Sequence, residues 1–246
     1  MIPLSHLVCG VPSGNGDLAI CLKHLGSTLS TLGDYLGPRT RVRTVDRLIS
    51  PFLARSVLEV ACTGIIARWD PFRVLALAKI QSQGTYDPSR KVASAIQWSG
   101  DVLSKAHGGS KLWDTEKKPD NFDRALFSDH QGEILWQPAF AMLLDHLAGY
   151  SGASQSLQDI VNIEPKSIVP RLRGTASRLY SRASKGIHHE FVLSISSYYD
   201  DATLAELANE TLWLVATMGL IINFSENAAF RINHNRAVTI YEELGL

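Results

Sequence analysis

Between Lys166 and His189 the chain carries six cations, Lys166, Arg171, Arg173, Arg178, Arg182 and Lys185, with no acidic residue among them, and the run closes on His188 and His189. A guanidinium can hold two phosphate oxygens and stabilise charge developing on them, while an imidazole of ordinary pKa, about 6.5, can accept or donate a proton at neutral pH. In RNA the nucleophile comes with the substrate, because the 2′-hydroxyl can attack the adjacent 3′-phosphate. A metal-free ribonuclease then needs little beyond a proton acceptor, a proton donor and a cation. Arg182 is the candidate for phosphate stabilisation and His188 or His189 for proton transfer, with Arg171, Arg173, Arg178 and Lys185 as RNA-binding cations. A single working His per chain leaves one proton-transfer role open, which a twofold homodimer pairing two copies of the site would fill.

The spacing leaves the geometry open. If a helix runs unbroken through this segment, Arg178, Arg182, Lys185 and His189 share a face and His188 points elsewhere. If Gly186 interrupts it, His188 can swing onto the cationic face. The next stretch reverses sign: Glu190, Asp200, Asp201, Glu206 and Glu210 follow with no Lys or Arg until Arg231, so a formal net charge of zero conceals a polarised surface. The plainer alternative follows from this reversal, in which the cations form a solvated helix face paired with the acidic helix after it, through Glu206 and Glu210 among others.

Several common machines lack their physical requirements. The sequence has no phosphate-cradling G-x-x-x-x-G-K-[ST] loop, no G-x-S-x-G elbow and no H-E-x-x-H, and the glycines Gly10, Gly14 and Gly16 read as a loop. His188, His189 and Glu190 are consecutive, so a helix would point them in different directions, and no metal site is expected there. Cys9, Cys21 and Cys62 are odd in number and widely spaced, the pattern of reduced thiols in a cytoplasmic protein. No cofactor is expected.

The elements that must position these groups read as helices. Apolar residues recur at helical spacing over 17–37 with Asp17 as the cap, 44–69 with a possible kink at Pro51, 71–81, 135–148, 157–161, 167–185, 187–196, 202–224 and 236–244, and a further helix is expected from Asp87 or Ser89 through Leu103, closed by Gly108-Gly109. Strand-like alternation is nearly absent. The fold class expected is all-α, a helical bundle in one domain over 1–246, with N-terminal helices in 1–109, a polar loop or insertion around 110–132, and C-terminal helices in 133–246 carrying the Arg/His run. In the long second helix Arg55, Glu59 and Thr63 fall at four-residue steps. Arg55 with Glu59 is an obvious intrahelical pair, and Glu59 would orient the Arg182 guanidinium should the two helices pack together. Arg68, Asp70 and Arg73 read as capping and surface charge, and Trp113 as a loop anchor or an exposed ring able to stack a base.

Arg182-Ala-Ser-Lys-Gly-Ile-His188, set within an all-helical chain, resembles the R-x-H motif of HEPN (higher eukaryotes and prokaryotes nucleotide-binding) domains, and Ser184 to His188 has the look of that segment in bacterial defence-associated members. The resemblance covers about ten residues and the helical background. It implies a helical dimer acting as a metal-independent endoribonuclease, often in phage defence or toxin-antitoxin settings, with Arg182 matching the family's Arg and His188 its His, His189 being the fallback. Ala183 stands where the family often has a polar residue, and many HEPN-like domains have lost activity and serve as binding or assembly modules.

At 45% hydrophobic and 20% charged over 246 residues the chain can bury a substantial core. The first residues lack a basic run before an apolar core, so no secretory leader is expected. The apolar run Leu212 to Phe224 is shorter than the ~20 residues of a bilayer span, so neither a span nor a membrane partner is expected. RNA is the expected partner, with a protein partner in a defence or toxin-antitoxin complex. The reading from another class is a noncatalytic helical adaptor or immunity-type interaction module.

Overall fold

Most of the described residues that are buried sit on helices, and the chain is all-α. The structure, a computed structural model, describes residues 1–37, 44–89, 94–105, 112–114, 118, 121–150, 153–187 and 199–245. Among them the longer helices are α1 (Ile2–Cys9), α2 (Asp17–Leu36), α3 (Thr44–Trp69), α4 (Pro71–Gln81), α5 (Gln137–Leu147), α6 (Gln155–Val161), α7 (Ile168–Ile187), α8 (Asp201–Ile222) and α9 (His234–Glu243), with a short helical segment from Asp129 to Trp136 leading into α5. A single apolar cluster extends from Leu4 on α1 to Tyr241 on α9.

Local chemistry sets most boundaries. Asp200 caps α8, its carboxylate accepting from the Thr203 amide at 2.8 Å, and Asp201 adds negative charge in the first turn, where the helix dipole favours it. Ser154 and Asn233 cap α6 and α9 in the same way. Between α3 and α4, Asp70 precedes Pro71, whose missing N–H is harmless at a first helical position. Pro51 stays inside α3, which is otherwise continuous.

α3 is the axis of the fold, packing against α2, α7 and α8 and, through its C-terminal half, against α4 and α1. Its inner residues Ala54, Val57, Leu58, Ala61, Cys62, Ile65 and Ile66 are fully buried or nearly so. α3 and α8 are each long and apolar enough to cross a bilayer by length and composition, and 56% and 72% of their most apolar stretches are buried inside this fold.

Arg68, at the end of α3, departs from its sequence expectation as a surface charge, being 1% exposed. Its Nε donates to the Ala229 carbonyl at 2.8 Å, and its two Nη atoms donate to the carbonyls of Leu7 at 3.0 Å and Val8 at 3.2 Å and to Asn223 Oδ1 at 2.9 Å. Leu7 and Val8 lie in the last turn of α1, where carbonyls lack intrahelical donors and the dipole is negative, so the guanidinium caps α1 from the interior. Burial lowers the Arg68 pKa from 12.5 to about 10, with the Arg231 charge acting in the same direction.

α1 is a helix that the apolar spacing does not point to, and one expectation fails: the helix expected through Leu103 does not form over the described residues 94–97. Only a tight turn, Trp98–Val102, is present, with Gly100 at φ 109° and the Asp101 carboxylate accepting from the Gln97 amide at 2.7 Å. A left-handed backbone ends a helix there, whatever the spacing of Ile96, Trp98 and Val102. The expected helix over 187–196 falls almost wholly outside the described residues. In the expected polar loop, the described part is anchored at its end, where Ala125, Leu126 and Phe127 are buried.

Candidate functional site

α7 carries the cationic run on a helix unbroken from Ile168 to Ile187, so Gly186 does not bend it within that span. Its buried stripe, Leu172, Ala176, Leu179, Ala183 and Gly186, follows helical spacing and leaves two flanks for polar side chains. Gly186 is required by close approach, because an added Cβ would meet Pro51 of α3 at 2.7 Å.

One flank faces α8. Arg178 grips both carboxylate oxygens of Glu210, at 2.8 and 3.1 Å. One turn on, Arg182 Nη2 donates to Glu206 at 2.7 Å, and its Nη1 lies 3.7 Å from Glu210. The carboxylate of Glu210 raises the Arg178 pKa above its ordinary value, chiefly through that hydrogen bond. Two guanidiniums and two carboxylates thus form one interlocked strip with no formal net charge. The Tyr199 hydroxyl donates to the Arg182 carbonyl at 2.6 Å, tying the approach to α8 onto α7. Next to the strip lies a groove of about 400 Å³ lined by Asp159, Arg171, Thr175, Arg178, Asn209, Glu210 and Trp213.

The other flank meets different partners. Arg173 bonds Asp129 at 3.1 Å. The Tyr180 ring receives the Arg55 guanidinium at 4.4 Å and stacks on Trp98 at 4.0 Å with an interplanar angle of 7°. Arg55 also donates to Glu59 at 3.0 Å and to Ser184 Oγ at 3.3 Å. Glu59 therefore serves Arg55, as the four-residue spacing suggested, and not Arg182, whose carboxylate partners come from α8.

Of the residues singled out by sequence, Arg178 and Arg182 are brought together, Arg171 lines the adjoining groove, and Arg173 and Glu59 are engaged elsewhere. Lys185 is exposed, and neither it nor Arg171 has an ion pair among the described residues. His188 and His189 lie outside the described residues. Trp113 anchors its loop, meeting His130 and Phe122 edge-on and donating to Glu133. No group of three or more His, Cys, Asp or Glu suited to a metal ion occurs among the described residues.

No family model, curated protein or solved structure matches this chain.

Sequence reasoning missed the Trp98–Tyr180–Arg55 stack and the Arg68 network. Tyr180, one turn from Ser184 on α7, was a legible signal for the first; nothing near Arg68 in sequence signals the second, whose acceptors lie at Leu7, Val8, Asn223 and Ala229.

Proposed function

We propose that this chain is a HEPN-like helical domain acting as a noncatalytic binding or assembly module in the cytoplasm, in a defence or toxin-antitoxin setting. The observation that carries the reading is the engagement of Arg182, the motif arginine, by Glu206 at 2.7 Å with Glu210 close by. A phosphate approaching this strip meets carboxylates already holding the cations, and must displace them against their repulsion. A protein partner that presents apolar and mixed-sign groups can bind beside the strip without displacing them. Mixed-sign pairs flanking a groove with Trp213 suit a polypeptide surface, where Trp and Arg concentrate binding energy.

A second reading, a metal-independent endoribonuclease acting on RNA, is supported by the place of Arg182 and Lys185 on α7, whose described part reaches Ile187, and by an unbroken spacing that would set His189 on the same face. In it Arg182 exchanges Glu206 for phosphate, and His188 or His189 moves the proton.

One pair of measurements separates them. Single-stranded RNA is titrated by fluorescence anisotropy across a salt series, and its cleavage is followed in chelator for wild type and for Arg182→Ala/His188→Ala/His189→Ala. The binding-module reading expects a nearly flat salt dependence and no difference in cleavage. The nuclease reading expects cleavage that the triple variant loses and, for four phosphate contacts at about −0.7 each on single strands, a log–log slope near −3.

A further inference from the structure

The connection between α8 and α9 lines an open groove of about 570 Å³, whose polar members are Arg231, Asn233 and His234. The His234 ring lies on Phe224 at 4.2 Å and meets His146, from the last turn of α5, at 5.7 Å. Burial and the charges of His146 and Arg231 hold the His234 pKa below 6.5, so the three groups are near enough to repel one another. Arg68, enclosed behind them, feels the Arg231 charge as well. Among the described residues Arg231, His146 and His234 form no ion pair with a carboxylate. Asp145 and Glu226, the acids closest to them in sequence, are exposed.

The backbone that carries these groups is fixed from both sides. The Ala229 amide donates to the Arg68 carbonyl at 3.0 Å and the Ile232 amide to Asn223 Oδ1 at 3.1 Å. Between them Phe230 takes φ 52°, a conformation that a bulky residue keeps only where its surroundings impose it. α9 begins at the groove, with Asn233 as its cap, His234 as its first residue and no acid in its first turn, so the positive end of its dipole adds to the cations there.

Like charges gathered in a cleft without a counter-charge cost stability, and such arrangements mark sites that bind the missing charge. We propose that this groove binds a small molecule through a terminal phosphate, with Arg231 gripping two of its oxygens, His234 donating to a third and His146 adding charge from the side. A phosphomonoester carries nearly two negative charges at neutral pH and has three free oxygens, which suits cations converging from separate elements. A carboxylate has two oxygens, which the guanidinium alone would satisfy, and a nucleic-acid diester carries a single charge. Phe230 and Ile232 supply an apolar wall for the rest of the molecule, and the groove falls within the roughly 300–1,000 Å³ of small-molecule sites. None of the cations of α7 takes part, so the inference is independent of both functional readings.

Histidine C2–H proton resonances of the full chain, assigned from His146→Gln and His234→Gln, report on the site. They are followed at pH 7 during titration with phenyl phosphate, a monoester, and with dimethyl phosphate, a diester. Phenyl phosphate is expected to shift both resonances saturably and to raise the pKa of His234, because a bound dianion favours the imidazolium. Dimethyl phosphate should bind roughly tenfold more weakly, having half the charge. Arg231→Gln should weaken phenyl phosphate about tenfold through loss of a charge-assisted contact, with an unchanged circular dichroism spectrum because the side chain is exposed. Arg171→Gln/Lys185→Gln, on α7, should bind it as wild type does. Shifts that do not saturate, an equal response to the diester, full affinity in Arg231→Gln or a loss in the α7 variant overturns the proposal.

Discussion

The guanidinium of Arg68 and the carboxamide of Asn223 form the buried joint between the ends of α3 and α8, 2.9 Å apart and both essentially excluded from solvent. Asn223 in turn donates to the carbonyls of Leu7 at 2.9 Å and Gly219 at 2.6 Å, and its oxygen also accepts from the Ile232 amide at 3.1 Å. Three segments far apart in sequence are thereby held through one pair of side chains.

Replacing Arg68 by Met would leave the carbonyls of Leu7, Val8 and Ala229 without this donor, and these backbone groups cannot be substituted along with it. Arg68→Met is expected to cost about 3–5 kcal/mol, because the buried carbonyls of Val8 and Ala229 lose this donor while Leu7 keeps only Asn223. Arg68→Lys should rescue little of this, since an ammonium cannot reproduce the fork. Urea unfolding measures both; a loss below about 1 kcal/mol, the worth of one ordinary hydrogen bond, would show that the joint is not structural.

The strip between α7 and α8 makes an opposite pair of demands. Glu206→Gln/Glu210→Gln is expected to lower stability by about 1–2 kcal/mol, from partly exposed pairs contributing up to about 1 kcal/mol each. The same variant releases Arg178 and Arg182, so its affinity for single-stranded RNA should rise, with a steeper salt slope than wild type. Anisotropy titrations at two salt concentrations check this, and unchanged affinity would mean the guanidiniums are not held back by those carboxylates.

His234 stacks on Phe224 at 4.2 Å, with His146 at 5.7 Å. Burial, the His146 charge and the Arg231 charge hold its pKa below 6.5. The folded state thus takes up this proton at lower pH than the unfolded chain does, so the group's contribution to stability is present above pH 6.5 and lost as pH falls through the lower folded value. Melting temperature should decline with acidification in that window, and His234→Gln should flatten the decline.

The three thiols should differ in reactivity. Burial pushes the Cys9 thiol up to about 12 and raises Cys62 further, while Cys21, raised by burial and by Asp17, is only partly covered. Because the thiolate is the nucleophile, alkylation of native protein at mildly alkaline pH should modify Cys21 slowly and leave the other two intact. Mass spectrometry before and after denaturation counts the labels.

The helices that could be read from sequence are those with helical apolar spacing or a long apolar run: α2, which starts at Asp17 with Gly16 and not Asp17 in the capping position, α7 with its Leu172–Ala176–Leu179–Ala183 stripe, and the largely buried α8. Polarisation between α7 and α8 was also legible, and the structure turns it into Arg178–Glu210 and Arg182–Glu206. α1 was hidden because Ile2 to Cys9 is apolar nearly throughout and so has no periodicity, its helicity being set by the elements around it. Helical spacing in Ile96, Trp98 and Val102 misled because the backbone at Gly100 overrides side-chain pattern. Arg68 was beyond reach, since each acceptor that justifies burying it comes from a segment remote in the chain. On α3, Val45, Leu48, Ile49 and Phe52 have the same pattern as a core face, and only the packing shows them to be outward.

The bond from Asn223 to Leu7 spans 216 positions. During synthesis α1 is made together with its neighbour α2, on which it packs, but the part of its surface that faces α8 stays uncovered until that helix has emerged. Closing a loop of that length carries a large entropic cost, so the contact of α1 with the end of α8 is expected to form after the local packing of α1 on α2.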